Sequence, residues 1–534
     1  MTTPSSQNDL RSFAAWIEGV SPADVPATVM FAARLQLANM LAAAFAAQAA
    51  PEAREVIDAA DALGGNSGSA TTLLDGQKRP ILDAVLCNAA AAMTHDFDDI
   101  VWMGHTGHSA VFASLAVAES EDKKIDDLLL AIVIANELGG RLGASSFFGP
   151  LNGQMWSFIH LIGAAAATAK LLGLDRERTT NALSIALYQP TFPLQPGFMR
   201  PTSKLLTAAT PTCTGIQAAY LARAGMTGDP RVLDDQRGFW SRFSFLPLRG
   251  MLGGLGKTWV TSTLACKTYP GCFYHQTTCT ALARILDQTG PIASDDIASV
   301  RIETTKLATE VSRFAASYAQ DEPLTAVGVT FDLRLLTALM LRRGQLTTGE
   351  LHPAVLHEEE APLRSLRDKV KLVHDPLLSA RVVQSAMGLE TGRAAIGALT
   401  ARDLAHIASS YRREYRSSAL SMSDIGTLIR GVAQRHTAPD EALDARGVPL
   451  YFPSRVTLRL TNGQRFTERR DLPEGSFASV GAETRIKAKF YRAVALAKSP
   501  EVAEACWAAL MTLGGGAAVA EAIAPLSGAL SHAE

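Results

Sequence analysis

The sequence predicts a mainly α-helical fold that carries a smaller α+β part. From residue 8 to about 225, apolar residues recur at the three- to four-residue spacing of helices. Two later segments instead alternate in the manner of strands. Hydrophobic residues make up 47% of the 534 residues, and a chain of this length usually exceeds one hydrophobic core. We therefore expect a large all-α domain and a second, smaller unit.

The first half of the chain contains several distinct helical segments. Residues 30–50 are apolar but include polar and charged side chains that a membrane span would not tolerate cheaply, so they predict a buried helix. Gly173 and Asp175 predict the end of one helix and the start of the next. Further helices are expected at 84–93, 126–142, 161–172 and 176–186.

The strand pattern begins after Tyr269. Residues 297–304 and 454–469 alternate, and Asn462-Gly463 within the second segment favours a β-hairpin. The resulting division is an all-α domain at 1–266, a smaller α+β domain at 267–472 with an extra helical insertion at about 379–446, and a helical return at 473–534. The charge runs of the insertion predict a solvated surface or an oligomer contact.

Composition excludes several classes of partner. The formal net charge is −2, and no basic stripe suggests a nucleic-acid partner. The N-terminal residues are polar and lack the pattern of a signal peptide, so we expect a cytoplasmic protein with no membrane partner. The six cysteines lack paired zinc-finger spacing, which predicts reduced thiols.

Residues 95–108 concentrate acid-base side chains more than any other stretch. They contain three aspartates and three histidines within fourteen positions. An alanine-rich helix precedes them, and Gly104 and Gly107 break regular structure. The cluster is therefore expected where a buried helix opens into a loop, a place where side chains can face a cavity.

Four stretches of the sequence match one family in order and spacing. The chain resembles the MmgE/PrpD family, which includes 2-methylcitrate dehydratase, cis-aconitate decarboxylase and iminodisuccinate epimerase. The resemblance implies an all-α domain built from both chain ends with an α+β lid between them, a homodimer, and no metal or organic cofactor. The matching stretches are 95–99 with Gly104-His105, 163–175, Lys204 with 215–229, and 267–272 with His275.

The family's active-site pattern falls on four residues, and the resemblance implies a role for each. These are Asp96, His105, Lys204 and His275, with Gln276 competing for the last position. His105 and His275 would form the acid-base pair. Lys204 would hold negative charge of the substrate electrostatically or donate a proton. Asp96 would orient one imidazole and tune its pKa.

Other polar residues are candidates for binding substrate. The guanidinium group of Arg200 could bind a carboxylate through two hydrogen bonds. Asn39 and Gln154 stand where the family usually has an aspartate and a histidine, and residues 330–336 lack the tyrosine of the decarboxylase and dehydratase. These departures predict a divergent substrate. The substrate-binding candidates are Arg200, Gln154, His108 and Lys267.

Structural roles remain open for part of the cluster. His108 could be a loop residue that starts the next helix. Asp98 and Asp99 could cap helices or pair with buried arginines. Residue types alone would permit a metal site of His95, Asp96, Asp99 and His105, but the resemblance implies none.

The expected activity is that of an MmgE/PrpD-like lyase or isomerase. It would abstract a proton next to a carboxylate or carbonyl of a small molecule, with elimination, as a dehydratase does. An epimerase, isomerase or decarboxylase of the same family is an alternative, because all begin by ionising the same kind of carbon. A non-catalytic homologue that acts in protein contacts is a further alternative.

Overall fold

The computed structural model describes residues 9–65, 67–150, 157–318, 323–414, 422–433 and 442–526. The helices of the N-terminal part are α1 (Asp9–Gly19), α2 (Ala27–Phe45), α3 (Pro51–Gly64), α4 (Ile81–Met93), α5 (Ser114–Ser120), α6 (Ile125–Ser145), α7 (Phe158–Leu171), α8 (Arg176–Leu187), α9 (Gln195–Met199), α10 (Leu206–Arg223) and α11 (Trp240–Phe243). A π-helical segment, His108–Ala113, leads directly into α5.

The remaining helices begin at Gln276. They are α12 (Gln276–Thr289), α13 (Lys306–Tyr318), α14 (Ala326–Phe331), α15 (Leu333–Arg343), α16 (Pro353–Glu358), α17 (Glu360–Asp368), α18 (Pro376–Ala386), α19 (Glu390–Gly397), α20 (Ala401–Glu414), α21 (Met422–Ala433), α22 (Ala482–Ala497), α23 (Pro500–Thr512) and α24 (Val519–Ile523). The strands are β1 (Ala70–Thr71), β2 (Lys78–Arg79), β3 (Asp99–Ile100), β4 (Ala265–Cys266), β5 (Ile297–Thr304), β6 (Val370–His374), β7 (Ser454–Leu460) and β8 (Arg465–Arg470).

The mainly α architecture with an α+β part is confirmed. In the N-terminal part, α7 packs against both α6 and α10, and such central helices are apolar all round because they have neighbours on several sides. The predicted start of α8 is also confirmed. The Asp175 side chain accepts a hydrogen bond from the Arg178 amide at 2.8 Å, and Gly173 has a φ of 64°, as a helix stop requires.

Two of these helices, α2 and α6, have the length and hydropathy of membrane spans. Their most apolar windows are 78% and 100% buried inside the protein, respectively. The prediction of a buried helix in the 30–50 region is thereby confirmed.

The α+β part is built on a four-stranded sheet with the order β6-β5-β7-β8. β5 runs parallel to β6 and antiparallel to β7, and β7 pairs with β8 as the predicted hairpin. Gly463 at its turn has a φ of 89°. Helices α12 and α15 pack on this sheet and enclose a second apolar core that includes Leu282, Leu339 and Val456.

The first apolar core joins the N-terminal helices to α22, α23 and α24. This arrangement agrees with a helical domain made from both chain ends, although the exact boundaries at 266 and 472 stay a prediction. Within the 379–446 insertion, α18 departs from the expected solvated surface, because Val382 and Ala386 lie in the first core. A role of the insertion in an oligomer contact stays a prediction.

A short strand pair places the acid-base residues. The chain leaves α4 at Met93, and Asp99 in β3 then pairs antiparallel with Cys266 in β4. The next residue, Lys267, donates its amide to the Asp98 carbonyl at 3.0 Å. Two segments separated by more than 160 positions therefore lie side by side, and the predicted junction of helix and loop is confirmed.

Candidate active site

The backbone around Asp96 has an unusual conformation. Asp96 has a φ of 52°, in the left-handed region that aspartate tolerates better than most residues. The Gly271 amide donates to the carbonyls of His95 and Asp96, each at 3.1 Å. The 269–272 loop therefore holds the Asp96 backbone in place, and such local strain is typical of functional sites.

Lys267 lies between two buried carboxylates. Its Nζ is 2.8 Å from Asp96 Oδ1 and 2.5 Å from Asp98 Oδ1, and the three side chains are 0% exposed. Burial opposes the charge of Lys267, but the two carboxylates raise its pKa above the ordinary value. Burial likewise opposes the charge of Asp98, yet Lys267 and His105 hold its pKa well below the usual range. The three groups therefore form one buried ion cluster.

Asp98, rather than Asp96, orients the imidazole of His105. His105 Nδ1 donates to Asp98 Oδ2 at 3.0 Å, and Asp96 instead contacts lysines. Asp96 acts on the imidazoles through its charge, which raises the pKa of both His105 and His275 although burial lowers them, and its role in orienting an imidazole stays a prediction. In the described part of the chain Asp98 contacts histidine and lysine, and neither a helix cap nor an arginine pair is seen for it.

This hydrogen bond fixes the tautomer of His105. Because Nδ1 carries the proton that Asp98 accepts, the neutral ring has its lone pair on Nε2. Burial lowers the pKa of His105 despite the attraction of Asp98. His105 is therefore a neutral imidazole near pH 7, which is the state a general base needs.

Lys204 also lies close to the cluster. Its Nζ lies 3.7 Å from Asp96 Oδ2 and 3.9 Å from the centre of the Phe331 ring. The side chain is fully buried, and burial lowers its pKa to about 8. An ammonium group with this pKa can stabilise an anion and can also release its proton near neutral pH.

The geometry distinguishes His275 from its neighbour Gln276. The Gln276 side chain is engaged with backbone: it accepts from the amides of Thr268 and Tyr269 at 3.0 and 3.1 Å and donates to the Tyr269 carbonyl at 2.9 Å. His275 is buried and contacts the Thr330 backbone, which favours the charged form of its ring. Burial lowers its pKa to about 3. Gln276 thus fixes the loop, and the role of His275 in the site stays a prediction.

The remaining predicted site residues differ in how they lie relative to the Asp96 cluster. Arg200 donates to the Pro323 carbonyl at 3.4 Å, and no contact with the Asp96 cluster is described for it. His108 is buried at the start of the π-helical segment, with Nε2 3.5 Å from Asp98 Oδ2. Gln154 lies outside the described residues. Lys267 is part of the ion cluster, so its charge is already neutralised by protein carboxylates.

Asp99 makes a local backbone contact, and neither a helix cap nor an arginine pair is seen for it in the described residues. It accepts a hydrogen bond from the Gly107 amide at 3.1 Å, just before the π-helical segment begins. Burial and the nearby charge of Asp98 raise its pKa to about 7. Asp98 and Asp99 are therefore adjacent carboxyl groups whose pKa values are shifted in opposite directions.

Two polar residues near the cluster were missed from the sequence. His160 is fully buried on α7 and bonds Ser109 Oγ through Nδ1 at 3.0 Å. Lys489 on α22 is also buried, and its Nζ donates to Asn39 Oδ1 at 2.7 Å. Neither stands in a motif: His160 sits in an apolar helical run, and Lys489 follows the cluster by almost 400 positions.

The residues first considered for a metal do not form a typical site. Within the described ranges, no group of three or more His, Cys, Asp or Glu side chains has the arrangement of a metal site. The space between Asp96 and Asp98 is occupied by the ammonium group of Lys267.

The sequence matches two models of one family across this region. The MmgE/PrpD N-terminal domain covers residues 11–246, and the MmgE/PrpD C-terminal domain covers residues 269–403. The chain belongs to the MmgE/PrpD family. Residues 95–105 and Lys204 lie in the N-terminal match, and His275 lies in the C-terminal match.

Curated MmgE/PrpD relatives include decarboxylases and a dehydratase. The chain is 25% identical over 446 residues to the cis-aconitate decarboxylase-like protein oryM of Aspergillus oryzae, which covers 78% of this chain and 91% of that protein. It is 33% identical over 165 residues to human cis-aconitate decarboxylase, 29% of this chain and 34% of that protein. It is 24% identical over 315 residues to the mitochondrial 2-methylcitrate dehydratase of Yarrowia lipolytica, 56% of this chain and 57% of that protein.

Proposed function

We propose that the protein is a cofactor-independent lyase that ionises a carbon next to a carboxylate or carbonyl of a small molecule and expels a leaving group from the neighbouring carbon. The observation that carries the proposal is that one buried ion cluster contacts both the neutral His105, oriented by Asp98, and the buried ammonium of Lys204. A positioned base beside a fixed cation is what formation of an enolate requires.

In this mechanism His105 Nε2 removes the proton. The imidazolium that forms is stabilised by Asp98, whose carboxylate already accepts the Nδ1 proton. Lys267 keeps Asp98 ionised, because its ammonium lies 2.5 Å from the other carboxylate oxygen. The ion cluster thus keeps His105 oriented as the base, and other groups bind the substrate.

Lys204 and His275 would face the substrate. The Lys204 ammonium contacts Asp96 only at 3.7 Å, so it is placed to stabilise negative charge that develops on a substrate carboxylate and to protonate a leaving oxygen. His275 is neutral at physiological pH and would donate a hydrogen bond to the substrate. It is poorly suited to be the acid of an acid-base pair.

Decarboxylation is a second candidate, favoured by the names of several relatives. Loss of carbon dioxide would generate the same enolate-like charge beside Lys204. The protonated Lys204, whose pKa is about 8, would then deliver its proton to the carbon that has lost carbon dioxide. Both reactions use the same cation, and they differ in the bond that breaks and in whether a base is needed.

The experiment is proton NMR in deuterium oxide of the purified protein with 2-methylcitrate, citrate, cis-aconitate and a panel of hydroxy- and amino-dicarboxylates. Incorporation of deuterium next to a carboxylate, with elimination, supports the lyase, and carbon dioxide release with deuterium at the vacated carbon supports decarboxylation. H105N should abolish the elimination signal, while H357N, which replaces an exposed histidine, should not. Exchange that persists in H105N would contradict the assignment of the base.

A further inference from the structure

The buried ion cluster and Lys204 together carry balanced charges. Asp96 and Asp98 supply two negative charges, and the Lys267 ammonium lies between them within 2.8 Å of each. Lys204 supplies the second positive charge, 3.7 Å from Asp96 Oδ2. The imidazole of His105 adds no charge at pH 7, because burial lowers its pKa. The site therefore has a net charge near zero before any substrate binds.

The buried arginines of the described chain are paired elsewhere. Arginine is the side chain that binds a carboxylate through two parallel hydrogen bonds. Each buried one forms an ion pair with a carboxylate outside the cluster, and they are Arg79, Arg141 and Arg381. Arg200 donates to the Pro323 carbonyl at 3.4 Å. Lys204 is therefore the cation that can meet a substrate carboxylate.

Lys489 is also buried, but it faces a different space. It lines a cleft together with His95 and Phe97, and no member of the ion cluster does. The wall formed by residues 95–98 therefore separates Lys489 from the site. Its ammonium donates to three neutral acceptors of the protein, so no N–H group remains for a substrate carboxylate.

The groups proposed to act on the substrate are packed against phenylalanine rings. Lys204 Nζ lies 3.9 Å from the centre of the Phe331 ring, and Phe198 packs edge to face on Phe331 with ring centres 5.4 Å apart. Phe273 packs in the same manner against His105 at 6.3 Å. All three phenylalanines are buried. On these sides the base and the cation are bordered by aromatic rings, which cannot neutralise a carboxylate.

Backbone contacts on both sides of Phe331 fix its ring over Lys204. The preceding residue, Thr330, accepts the Cys272 amide through its carbonyl at 3.0 Å. The following residue, Asp332, caps α15 and accepts a hydrogen bond from Arg367 Nε at 3.0 Å. This wall of the site is therefore a preformed apolar surface, which favours an apolar group of a ligand.

We propose that the substrate of this site is an organic acid with a single carboxylate, which Lys204 holds, and an apolar substituent, which lies along Phe331 and Phe273. Further carboxylates would be buried without a cation, which is strongly unfavourable. The inference rests on the proposed lyase function, because it assigns the substrate class of the same site. It separates this chain from relatives named for the tricarboxylates cis-aconitate and 2-methylcitrate.

The test is calorimetric titration of the full chain with 3-hydroxybutyrate, 3-hydroxyhexanoate and 3-hydroxyadipate. The last two have chains of equal length and differ in one terminal carboxylate. 3-Hydroxyhexanoate should bind at least about tenfold more tightly than 3-hydroxyadipate, whose second carboxylate loses its hydration. It should also bind about tenfold more tightly than 3-hydroxybutyrate, because it buries two more methylene groups. Equal or tighter binding of 3-hydroxyadipate, or no binding of 3-hydroxyhexanoate at about 10 mM, would overturn the proposal.

Variants assign the ligand to this site. F331A removes the apolar wall, so the advantage of 3-hydroxyhexanoate over 3-hydroxybutyrate should shrink to less than about threefold. F466A, which replaces a phenylalanine packed on the second apolar core, is the matched control and should keep that advantage. K204M should weaken 3-hydroxyhexanoate binding at least about tenfold. Wild-type affinity in K204M, or an unchanged chain-length preference in F331A, would overturn the proposal.

Deuterium exchange distinguishes this inference from the lyase itself. Exchange into 3-hydroxyhexanoate but not into 3-hydroxyadipate or citrate supports both. Exchange confined to 3-hydroxyadipate or citrate would keep the lyase and overturn the substrate class. Selective binding of 3-hydroxyhexanoate without exchange would keep the site for a single carboxylate and contradict the lyase.

Discussion

Two buried lysines lie on opposite sides of the wall formed by residues 95–98, and their surroundings differ. Lys267 has two carboxylates within 2.8 Å, and these raise its pKa above the ordinary value although burial opposes its charge. Lys489 has only neutral hydrogen-bond acceptors, and burial lowers its pKa to about 7. Burial is similar, so the difference comes from the partners.

The comparison separates two uses of a buried cation. On the inner side, Lys267 is neutralised by protein groups, and the result is a fixed cluster that keeps Asp98 ionised and His105 oriented. On the outer side, Lys489 is held by three neutral acceptors and by the Phe97 ring. Each of the following predictions tests one side of this difference.

The largest effect is expected for the base on the inner side. H105N should lower kcat/KM by about 10³-fold to 10⁴-fold, because it removes the proton acceptor and keeps a similar shape. The measurement is turnover of the substrate identified by deuterium exchange. Activity within tenfold of wild type, with folding unchanged by circular dichroism, would remove His105 from the mechanism.

Removing the two lysines should affect stability unequally. K267M leaves Asp96 and Asp98 buried without a cation, so we expect a loss of about 3–5 kcal/mol in the free energy of unfolding. K489M leaves only neutral acceptors unsatisfied, at a cost of about 1–2 kcal/mol. Urea unfolding checks both. Equal losses would mean that the two charges are compensated alike.

Asp98 and Asp99 are adjacent, yet their replacement by asparagine should differ in effect. D98N removes the charge that fixes the His105 tautomer, so kcat/KM should fall about 10²-fold to 10³-fold. D99N should change it less than about tenfold, because Asp99 has a pKa of about 7 and asparagine can still accept the Gly107 amide bond. The pair is compared in one kinetic series at pH 7, where similar losses would contradict the separation of roles.

Lys204 should set the alkaline limit of activity. Its pKa of about 8 means that the ammonium loses its proton above that pH, so kcat/KM should fall there. K204R keeps the charge at high pH, and whatever activity it retains should lack this decline. A wild-type profile that stays flat from pH 7 to 10 would show that the protonated lysine is not required.

The smallest effect is expected for N39D on the outer side. In the wild type the unfolded chain holds the Lys489 proton more tightly than the folded protein, so stability rises as the pH increases from about 7 toward the ordinary lysine pKa. The added carboxylate raises the pKa of Lys489 in the folded protein. The increase of stability with pH should therefore be smaller, and the protein should be more stable by about 1 kcal/mol at pH 7. Thermal unfolding of both proteins across this pH range measures the difference.

Much of the fold is predictable from local patterns. The bounds of α6, α7 and α8, strand β5 and the β7–β8 hairpin follow from apolar periodicity and turn residues, because these elements bury one face or all faces in a regular way. The concentration of ionisable residues at 95–108 also marks the place of the buried ion cluster. Cytoplasmic location and a homodimer stay predictions.

Pairwise roles within the site could not be read in the same way. Whether Asp96 or Asp98 holds His105 depends on the β3–β4 pairing, which aligns Asp99 with Cys266 and brings Lys267 between the two carboxylates. Lys489 reaches the cluster from a helix near the C-terminus, where no local pattern marks it. Contacts that span hundreds of residues are set by tertiary packing, and neither periodicity nor motif spacing encodes them.

The most direct test of the central claim is ¹⁵N NMR of histidine-labelled protein at pH 7, with H105N to assign the His105 signals. The Asp98–His105 pair predicts a neutral ring with its proton on Nδ1 and a lone pair on Nε2, and D98N should disturb that tautomer. A His105 ring that carries its proton on Nε2, or that is doubly protonated at pH 7, would contradict its assignment as the base.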